Sequence, residues 1–343
     1  MPHAAARAEA LHREALVVDT HVHSTSYLPR PPARALRLLN RTTMPPEVAF
    51  DAVLAAGVHA VVAKAVGDRL VTTWWARPRW EAVAAQLDSI EEETVAAGGR
   101  VVTGAAALRT ARADGAFAVI LGLEGADAIG SDLDRLDQLH ERGVRAVVPV
   151  HLGDNQFGTT CLPWPRYVAP VPVPRCRSRG LTGLGKRAVD RMNELGIVID
   201  VSHADSPTLR HVVERSQAPV MASHAGARGV QDFERYLSDD DIRALAGPGG
   251  LVGLWPYRHR GRGAADVDEL VRHARHVAAL VGPEHLCIGT DMNGVPGLMA
   301  GYRGEQDLPR VTAALLAAGF GESEVTGILG ANFLRLFERV CGT

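Results

Sequence analysis

The sequence has little cysteine, no excess of charge of one sign and no long apolar run, and each absence argues against a class of protein. The four cysteines lack C-x-x-C spacing, so we expect free thiols rather than a disulfide framework or a cysteine zinc site. The 37 basic and 39 acidic side chains nearly cancel, so nucleic-acid binding is not expected. No window reaches the roughly 18 uncharged apolar residues that a membrane span requires. The cysteines are Cys161, Cys176, Cys287 and Cys341.

The N-terminal segment, residues 1–23, carries charges throughout and has no apolar core of the signal-peptide type. We therefore expect a cytosolic protein that does not bind a membrane. The composition, 46% hydrophobic and 22% charged, is that of an ordinary globular protein with enough apolar material for a large core. Because no linker or repeat divides the chain, one domain over residues 1–343 is expected, and the sequence leaves a homodimer open.

Short apolar runs rich in β-branched residues alternate with longer amphipathic stretches, which is typical of βα units around a parallel sheet. Eight strands followed by helices predict an α/β fold, a single (β/α)8 TIM barrel with an extra loop and C-terminal helices. The predicted strands cover 15–23, 58–66, 117–124, 145–151, 197–203, 219–224, 251–256 and 285–291. The predicted helices lie near 45–56, 80–97, 131–142, 181–195, 206–216, 238–246 and 266–281, with a C-terminal pair from about 307 and 322.

Two segments do not fit this alternation. Residues 101–110 could form a strand, and we interpret them as an insertion or an edge piece. Residues 152–180 contain five prolines and three glycines, which predicts a long irregular loop after the fourth strand. Such a loop would lie over the C-terminal mouth of the barrel and could act as a lid.

Nearly every predicted strand ends, on its C-terminal side, in a residue that can bind a metal ion or carry a proton. Barrel enzymes place their active sites at that end. His21 and His23 are two residues apart, so on one strand both imidazoles face the same way and can share an ion. The strand-end residues are His21, His23, Glu124, His151, His203, His224 and Asp291.

Four imidazoles with one carboxylate exceed the ligand number of a single open catalytic zinc and suit two ions that share a bridging carboxylate. Imidazole-rich ligation favours zinc, iron, cobalt or nickel over calcium or magnesium. The sequence therefore predicts two divalent metal ions, with zinc as the first expectation.

Longer motifs resemble the membrane (renal) dipeptidase family, binuclear zinc enzymes of the amidohydrolase superfamily. The H-x-H pair alone is common to many amidohydrolases, but its ordered combination with the other motifs is specific. The resemblance runs through most of the chain and rests on VVDTHVH at 17–23, GLEGAD at 122–127, VVPVHLGDN at 147–155, LTGLGKRAVDRMNELGIVIDVSHAD at 181–205, APVMASHAGAR at 218–228, RYLSDDDIRALAGPGGLVGL at 235–254, HLCIGTDMNG at 285–294 and GANFLRLFERV at 330–340.

The resemblance implies a role for each matching residue. His21 and His23 would bind the first metal ion, Glu124 would bridge both ions, and His203 and His224 would bind the second. Asp291 would act as proton acceptor and donor, and His151 would polarise the substrate carbonyl and stabilise the oxyanion. Arg235 would receive the substrate carboxylate, and Arg228 is a second candidate for that role.

One departure from the family concerns the first strand, where the resembled enzymes usually carry H-x-D and this chain has His23. A neutral ligand in place of an anion leaves the cluster about one unit more positive, which favours anionic intermediates. The resemblance implies hydrolysis of dipeptides, or of dipeptide-like Cys-Gly-type conjugates, that have a free C-terminal carboxylate. Two alternatives stay open: an enzyme of the same scaffold acting on another amide, a lactone or a carboxylate that is decarboxylated, and a catalytically silent binding protein.

Overall fold

A computed structural model describes residues 2–29, 45–168 and 179–342. Eleven strands lie in these ranges, and the longest of them are mainly apolar and buried on both faces, as parallel strands covered by helices must be. They are β1 Val18–Val22, β2 Ala60–Val66, β3 Arg100–Val101, β4 Ala118–Glu124, β5 Val144–Val148, β6 Val198–Ile199, β7 Met221–Ala225, β8 Leu251–Leu254, β9 Arg258–His259, β10 Arg262–Gly263 and β11 Leu286–Ile288.

Eight of these strands are parallel neighbours in the order β6-β5-β4-β2-β1-β11-β8-β7. A parallel bridge between Asp200 and Met221 joins the two ends of this order and closes the sheet. The predicted (β/α)8 barrel is therefore confirmed. The segment 101–110 is predicted to be an insertion or an edge piece. Only its first residue belongs to a strand, β3, which pairs with β4 and is not one of the eight barrel strands, whereas Ala105–Ala113 forms a helix.

Several helices begin at a polar side chain that caps them. Asp205, Thr182 and Asp266 each accept a hydrogen bond from the first turn of the helix that follows, and Ser238 forms a capping box with Asp241. The helices are α1 Pro2–Glu14, α2 Phe50–Ala55, α3 Arg69–Thr73, α4 Arg79–Ala96, α5 Ala105–Ala113, α6 Asp134–Glu141, α7 Pro165–Val168, α8 Gly183–Leu195, α9 Ser206–Arg215, α10 Asp239–Ala246, α11 Val267–Val281, α12 Leu308–Ala317, α13 Glu322–Thr326 and α14 Asn332–Cys341.

The N-terminal end of the barrel is filled by apolar side chains. Val18, Val62 and Ile120 from the strands pack with Phe333 and Phe337 of α14, all of them buried. The C-terminal helix thus covers the end of the barrel opposite the predicted site. The predicted functional residues lie at the opposite, C-terminal end of the barrel strands.

The loop predicted over 152–180 is described in part. Residues 152–168 include the short helix α7, and 169–178 lie outside the described residues, as does Cys176, so the lid stays a prediction. Cys161, Cys287 and Cys341 are free thiols, as expected. In the described part of the chain, no helix combines the length and apolarity needed to cross a bilayer.

Candidate metal centre and active site

The predicted ligands meet at the C-terminal end of the barrel. His21 lies in β1, Glu124 is the last residue of β4, and His224 lies in β7, while the other predicted site residues follow the ends of their strands. Because alternate residues of a strand share a face, His21 and His23 both face the interior. The structure thus brings these predicted site residues together around Glu124 at one end of the barrel.

Glu124 is the centre of the cluster. Its Oε1 lies 3.3 Å from His21 Nε2, 3.2 Å from His203 Nε2 and 3.9 Å from His224 Nε2. Its Oε2 lies 3.3 Å from His23 Nε2 and 3.4 Å from His151 Nε2. One buried carboxylate therefore faces five imidazoles, and each of its oxygens faces a different group of them. A carboxylate at this position could be shared by two metal ions.

The spacing of the ligand atoms fits metal ions. His23 Nε2 is 3.4 Å from Asp291 Oδ1, and His203 Nε2 is 3.1 Å from His224 Nε2. Tetrahedral ligation with bonds of about 2.0–2.1 Å separates neighbouring ligand atoms by about 3.3 Å. In addition, His21 Nε2 and Glu124 Oε1 are buried without a hydrogen-bond partner. Buried polar atoms rarely stay unsatisfied, and a metal ion bound here would provide a partner for both.

Hydrogen bonds at Nδ1 orient the imidazoles of His21, His23 and His224. His21 Nδ1 contacts Ser223 Oγ at 2.9 Å, and Ser223 Oγ also contacts His224 Nδ1 at 3.1 Å. His23 Nδ1 donates to the Lys64 carbonyl at 2.9 Å. Partners on Nδ1 fix the ring and direct Nε2 inward, as is usual for metal-binding histidines.

Beneath the histidines, Lys64 of β2 forms a fully buried ion pair with Asp200. Burial alone would raise the pKa of Asp200, but the Lys64 ammonium holds it well below its usual range. Lys64 Nζ also lies 3.0 Å from His21 Nδ1. Removing one partner of such a pair strands the other charge in the interior, so the two residues act as one unit.

His151 connects the cluster to a second carboxylate. Its Nε2 faces Glu124, and its Nδ1 lies 2.6 Å from Asp68 Oδ2. Gly125 makes room for this contact, because a Cβ there would lie 3.1 Å from the Cβ atoms of both Asp68 and His151, and its φ of +77° is a left-handed conformation. Steric crowding and backbone conformation therefore explain why a glycine follows Glu124 in the GLEG motif.

The carboxylates determine how the cluster is protonated in the absence of metal. Burial favours neutral Glu124, but the facing His151 and His21 hold its pKa well below the usual range. Burial opposes protonation of His23, yet hydrogen bonds with Asp291 and Glu124 raise its pKa to about 10. Burial and the Arg235 charge lower the pKa of His203. Of these three groups, His23 is the one that keeps a proton at neutral pH, and a metal ion bound at its Nε2 would displace that proton.

Asp291 adopts a left-handed backbone conformation, with φ of +55°. A non-glycine residue held there is strained, and such strain concentrates at functional sites. Its amide donates to the His21 carbonyl at 2.8 Å, which ties β1 to the segment after β11. Gly294 allows the carboxylate to reach the cluster, since a Cβ there would lie 2.3 Å from Asp291 Oδ1.

Arg235 lies beside the second pair of histidines. Its side chain is buried, donates to the Ser202 carbonyl and places Nη2 3.3 Å from His203 Nε2. Its guanidinium also lies over the Trp255 ring, 4.9 Å from the centroid. A buried cation at this position can pair with a substrate carboxylate.

Arg228 is placed differently. Its Nε pairs with Asp232 Oδ1 at 3.2 Å, and its side chain is 39% exposed. It lines a cavity of about 170 Å³ together with Arg235 and Cys161. Its role as a carboxylate receptor stays a prediction, and the geometry favours Arg235.

Comparison with known proteins assigns the chain to a family. The model of the membrane dipeptidase family, peptidase family M19, matches residues 5–342. The chain belongs to this family. A Schizosaccharomyces pombe dipeptidase, itself uncharacterized, is 29% identical over 238 residues, which cover 68% of this chain and 55% of that protein. The chain thus spans about half the length of this curated relative.

Two solved structures are similar over nearly the whole chain. A metallopeptidase from Rhodobacter sphaeroides, liganded with a phosphinate mimic of L-Ala-D-Ala, is 25% identical, covers 95% of this chain and 99% of its own, and has a TM-score of 0.79. The probable dipeptidase PvdM from Pseudomonas aeruginosa is 21% identical with 99% of both chains covered and a TM-score of 0.81. The similarity to this second structure shows a shared fold.

Sequence analysis missed the residues that surround the ligands: Asp68, Lys64, Asp200 and Ser223. Lys64 had a detectable signal, because it is a lysine within an otherwise apolar strand, where a charge needs a partner. Asp68 also had a local signal, since it caps α3 through Val71 N. Its contact with His151 spans 83 residues of sequence, and no spacing rule reveals such a pair.

Proposed function

We propose that this member of the membrane dipeptidase family is a metal-dependent dipeptidase that holds two divalent ions, zinc first, and cleaves dipeptides with a free C-terminal carboxylate. The position of Glu124, one buried carboxylate facing five imidazoles, carries the proposal. The dipeptide mimic bound to the Rhodobacter sphaeroides structure supports the substrate class. His21 and His23 would hold one ion, His203 and His224 the other, and Glu124 both.

When bound, the metal ions supply Lewis acidity, which polarises the scissile carbonyl and lowers the pKa of the attacking water. Asp291 is placed to accept a proton from that water and to pass it to the leaving amine. Its carboxylate lies beside His21, His23 and His224, with the closest of these contacts the 3.4 Å between Oδ1 and His23 Nε2. Its backbone conformation keeps the carboxylate at this position.

His151 is placed to donate a hydrogen bond to the oxyanion. Burial opposes its protonation, but Glu124 and Asp68 outweigh burial and raise its pKa. The Asp68 carboxylate accepts from Nδ1, so the ring is fixed with Nε2 directed into the site. A donor that is already oriented stabilises developing negative charge without reorganisation.

Arg235 would fix the other end of the substrate. A charge-assisted pair between its guanidinium and the C-terminal carboxylate would set the register of the scissile bond. Substrates without that carboxylate would lose this contact. Such a contact would favour cleavage next to a free C-terminal carboxylate over cleavage of internal peptide bonds.

A second candidate is hydrolysis or decarboxylation of another anionic substrate by the same centre. His23 favours it, because an imidazole stands next to Glu124 where the resembled enzymes usually carry aspartate. The cluster with metal bound would be about one charge unit more positive and would bind anions more tightly. The cytosolic location and the homodimer stay predictions.

Metal analysis combined with a dipeptide screen tests the proposal. We expect close to two transition-metal ions per chain and turnover of a panel that includes D-residues at the C-terminal position. Asp291→Asn should keep its metal and lower kcat by about 10² or more, the effect of losing general acid–base assistance. Loss of metal in proportion to activity would instead make Asp291 a ligand. No cleavage of any dipeptide at full metal loading would leave the second candidate.

A further inference from the structure

A second cavity, of about 370 Å³, opens beside the histidine cluster at the C-terminal end of the barrel. It is formed by the segments after β2, β4 and β5, and its size is within the range of small-molecule pockets, about 300–1,000 Å³. The residues that matter here are Asp68, Leu70, Trp74, Asp127, Asp154 and Trp164.

The cavity shares a wall with the active site. Asp68 lines the cavity and also accepts the hydrogen bond of His151 Nδ1, while Nε2 of the same ring faces Glu124. A group that entered the cavity would therefore lie one side chain away from the cluster. The cavity is therefore near enough to receive a side chain of a substrate whose scissile bond lies at the cluster.

Exposed tryptophans distinguish this cavity. In the described ranges, three large apolar side chains are exposed: Trp74 at 52%, Val95 at 73% and Trp164 at 45%. Both tryptophans line this one cavity. Large exposed apolar surface that gathers around a pocket indicates a binding site, because it gains free energy only when a ligand covers it.

The charge of the cavity selects among ligands. Its carboxylates, Asp68, Asp127 and Asp154, outnumber its basic side chain, Arg69, three to one among the described lining residues. Arg69 is directed at Asp127, with Nε 3.8 Å from Oδ1. Asp154 is exposed, so its charge is available to a ligand. Indole faces next to carboxylates attract cations, and a planar guanidinium can stack on the one and pair with the other.

The loop that carries two of these residues is held in place. Trp164 N donates to the Leu152 carbonyl at 2.8 Å, and Asp154 Oδ1 accepts from Thr160 N at 3.0 Å. Trp74 follows directly after α3, whose first residue is Arg69. The walls are therefore positioned by backbone hydrogen bonds and do not depend on a ligand to form.

Resting on the proposed function, we infer that this cavity binds a long cationic side chain, arginine first and lysine second, on the N-terminal residue of the dipeptide. The orientation of the bound dipeptide follows from the position of Arg235, which lies on the other side of the site from the cavity. Arg235 contacts His203 and the His224 carbonyl, which belong to the β6 and β7 side of the barrel, whereas the cavity lies over β2, β4 and β5. A substrate whose carboxylate pairs with Arg235 directs its amino-terminal residue toward the cavity.

The test compares kcat/KM for Arg-Ala with that for citrulline-Ala, which has the same shape without the charge. We expect a preference of about tenfold for Arg-Ala, the scale of a cation held by aromatic faces. The reversed pair, Ala-Arg and Ala-citrulline, should show no such preference. A ratio near one for the first pair, or a preference confined to the reversed pair, would overturn the inference.

Two substitutions locate the effect. Trp74→Leu removes one indole, and Asp154→Asn removes the exposed charge while keeping the oxygen that accepts from Thr160 N; each should bring the Arg-Ala to citrulline-Ala ratio close to one. Val95→Ala is the matched control, because Val95 is an exposed apolar residue outside the cavity, and it should keep the wild-type ratio. A ratio that survives both cavity substitutions would contradict the assignment.

A binding experiment separates failure of this inference from failure of the proposed function. Calorimetric titration with agmatine, which carries the guanidinium, should give binding that Asp154→Asn weakens, whereas n-pentylamine should bind less. Absence of dipeptide cleavage together with this binding would reject the dipeptidase and keep the cationic pocket. Cleavage of dipeptides without agmatine binding would keep the dipeptidase and reject the pocket.

Discussion

The two ends of the barrel are built from the same eight strands but have opposite chemistry. At the N-terminal end, residues such as Val18, Ala60 and Ile120 pack against α14 in a wholly apolar layer. At the C-terminal end, the same strands lead into imidazoles and carboxylates that are just as deeply buried. Burial therefore does not distinguish stability from function here. What distinguishes them is whether the buried atoms are satisfied within the protein.

The difference also shows how each end responds to substitution. The apolar end stabilises the fold through packing, so damage there should appear as lost stability with an intact site. The polar end contains charges that compensate one another, so damage there should appear as lost metal or altered chemistry. Four substitutions test this division, beginning with the largest expected effect.

Glu124→Gln should remove the bridge between the two predicted metal positions. We expect metal content to fall markedly and kcat/KM to fall by about 10³ or more, because the ions supply several kcal/mol of transition-state stabilisation. Elemental analysis and steady-state kinetics measure both. Glu214→Gln, on the exposed side of α9, serves as the control for the loss of a carboxylate. A variant that kept both ions would contradict the bridging role.

Phe337→Ala should damage the opposite end. Phe337 is fully buried and stacks on Phe333, with ring centroids 5.6 Å apart. We expect the free energy of unfolding to fall by about 3–5 kcal/mol, the usual result of truncating a core phenylalanine. Denaturant unfolding measures the loss. Metal content and KM of the folded fraction should match the wild type, and a change in either would show that the two ends are coupled.

His23→Asp should change the chemistry of the polar end without removing a ligand. If the chain is a dipeptidase, the aspartate restores the charge that is usual in the resembled family, and kcat/KM should stay within about tenfold of the wild type. The acid limb of the pH–rate profile should move to higher pH, because a less positive centre lowers the acidity of the attacking water. The comparison requires matched metal loading. A collapse of dipeptide turnover with a retained native reaction would favour the second candidate function.

The fold was predictable because strands and helices have local signals. Apolar runs such as 58–66 and caps such as Ser238 act over a few residues, and the structure has elements close to the predicted bounds. The position of the ligands was also predictable, since parallel strands end on one side of the barrel.

The remaining contacts could not be read from the sequence. The Lys64–Asp200 pair and the His151–Asp68 pair join residues that are 136 and 83 positions apart. Arg235 likewise lies over the Trp255 ring, which belongs to the segment directly after β8. These contacts follow from how the strands are registered around the barrel, and local spacing does not reveal that register.

The smallest expected effect concerns a buried carboxylate near the boundary between the two ends. Glu305 Oε1 lies 3.1 Å from Thr290 Oγ1, which also lies 2.6 Å from Asp19 Oδ2. The single hydroxyl proton of Thr290 can serve one of these carboxylates at a time. The other carboxylate can then contact the hydroxyl favourably only by donating a proton of its own. Burial and the charge of Asp19 raise the pKa of Glu305 to about 8, so Glu305 is the group that keeps its proton.

This raised pKa predicts a pH-dependent stability. A carboxyl whose pKa is higher in the folded than in the unfolded state binds more protons when folded, so its contribution is complete below about pH 4.5 and is lost as the pH rises through about 8. Glu305→Gln resembles the neutral acid and does not titrate. In metal-free protein, the Tm of the variant relative to the wild type should therefore be higher at pH 9 than at pH 5, by an amount on the order of 2–4 °C. Because Asp19 and Glu305 repel each other when both are ionised, the change with pH reports on this pair of carboxylates. A difference in Tm that does not change with pH would show that Glu305 is ionised throughout and that Thr290 donates to it instead of to Asp19.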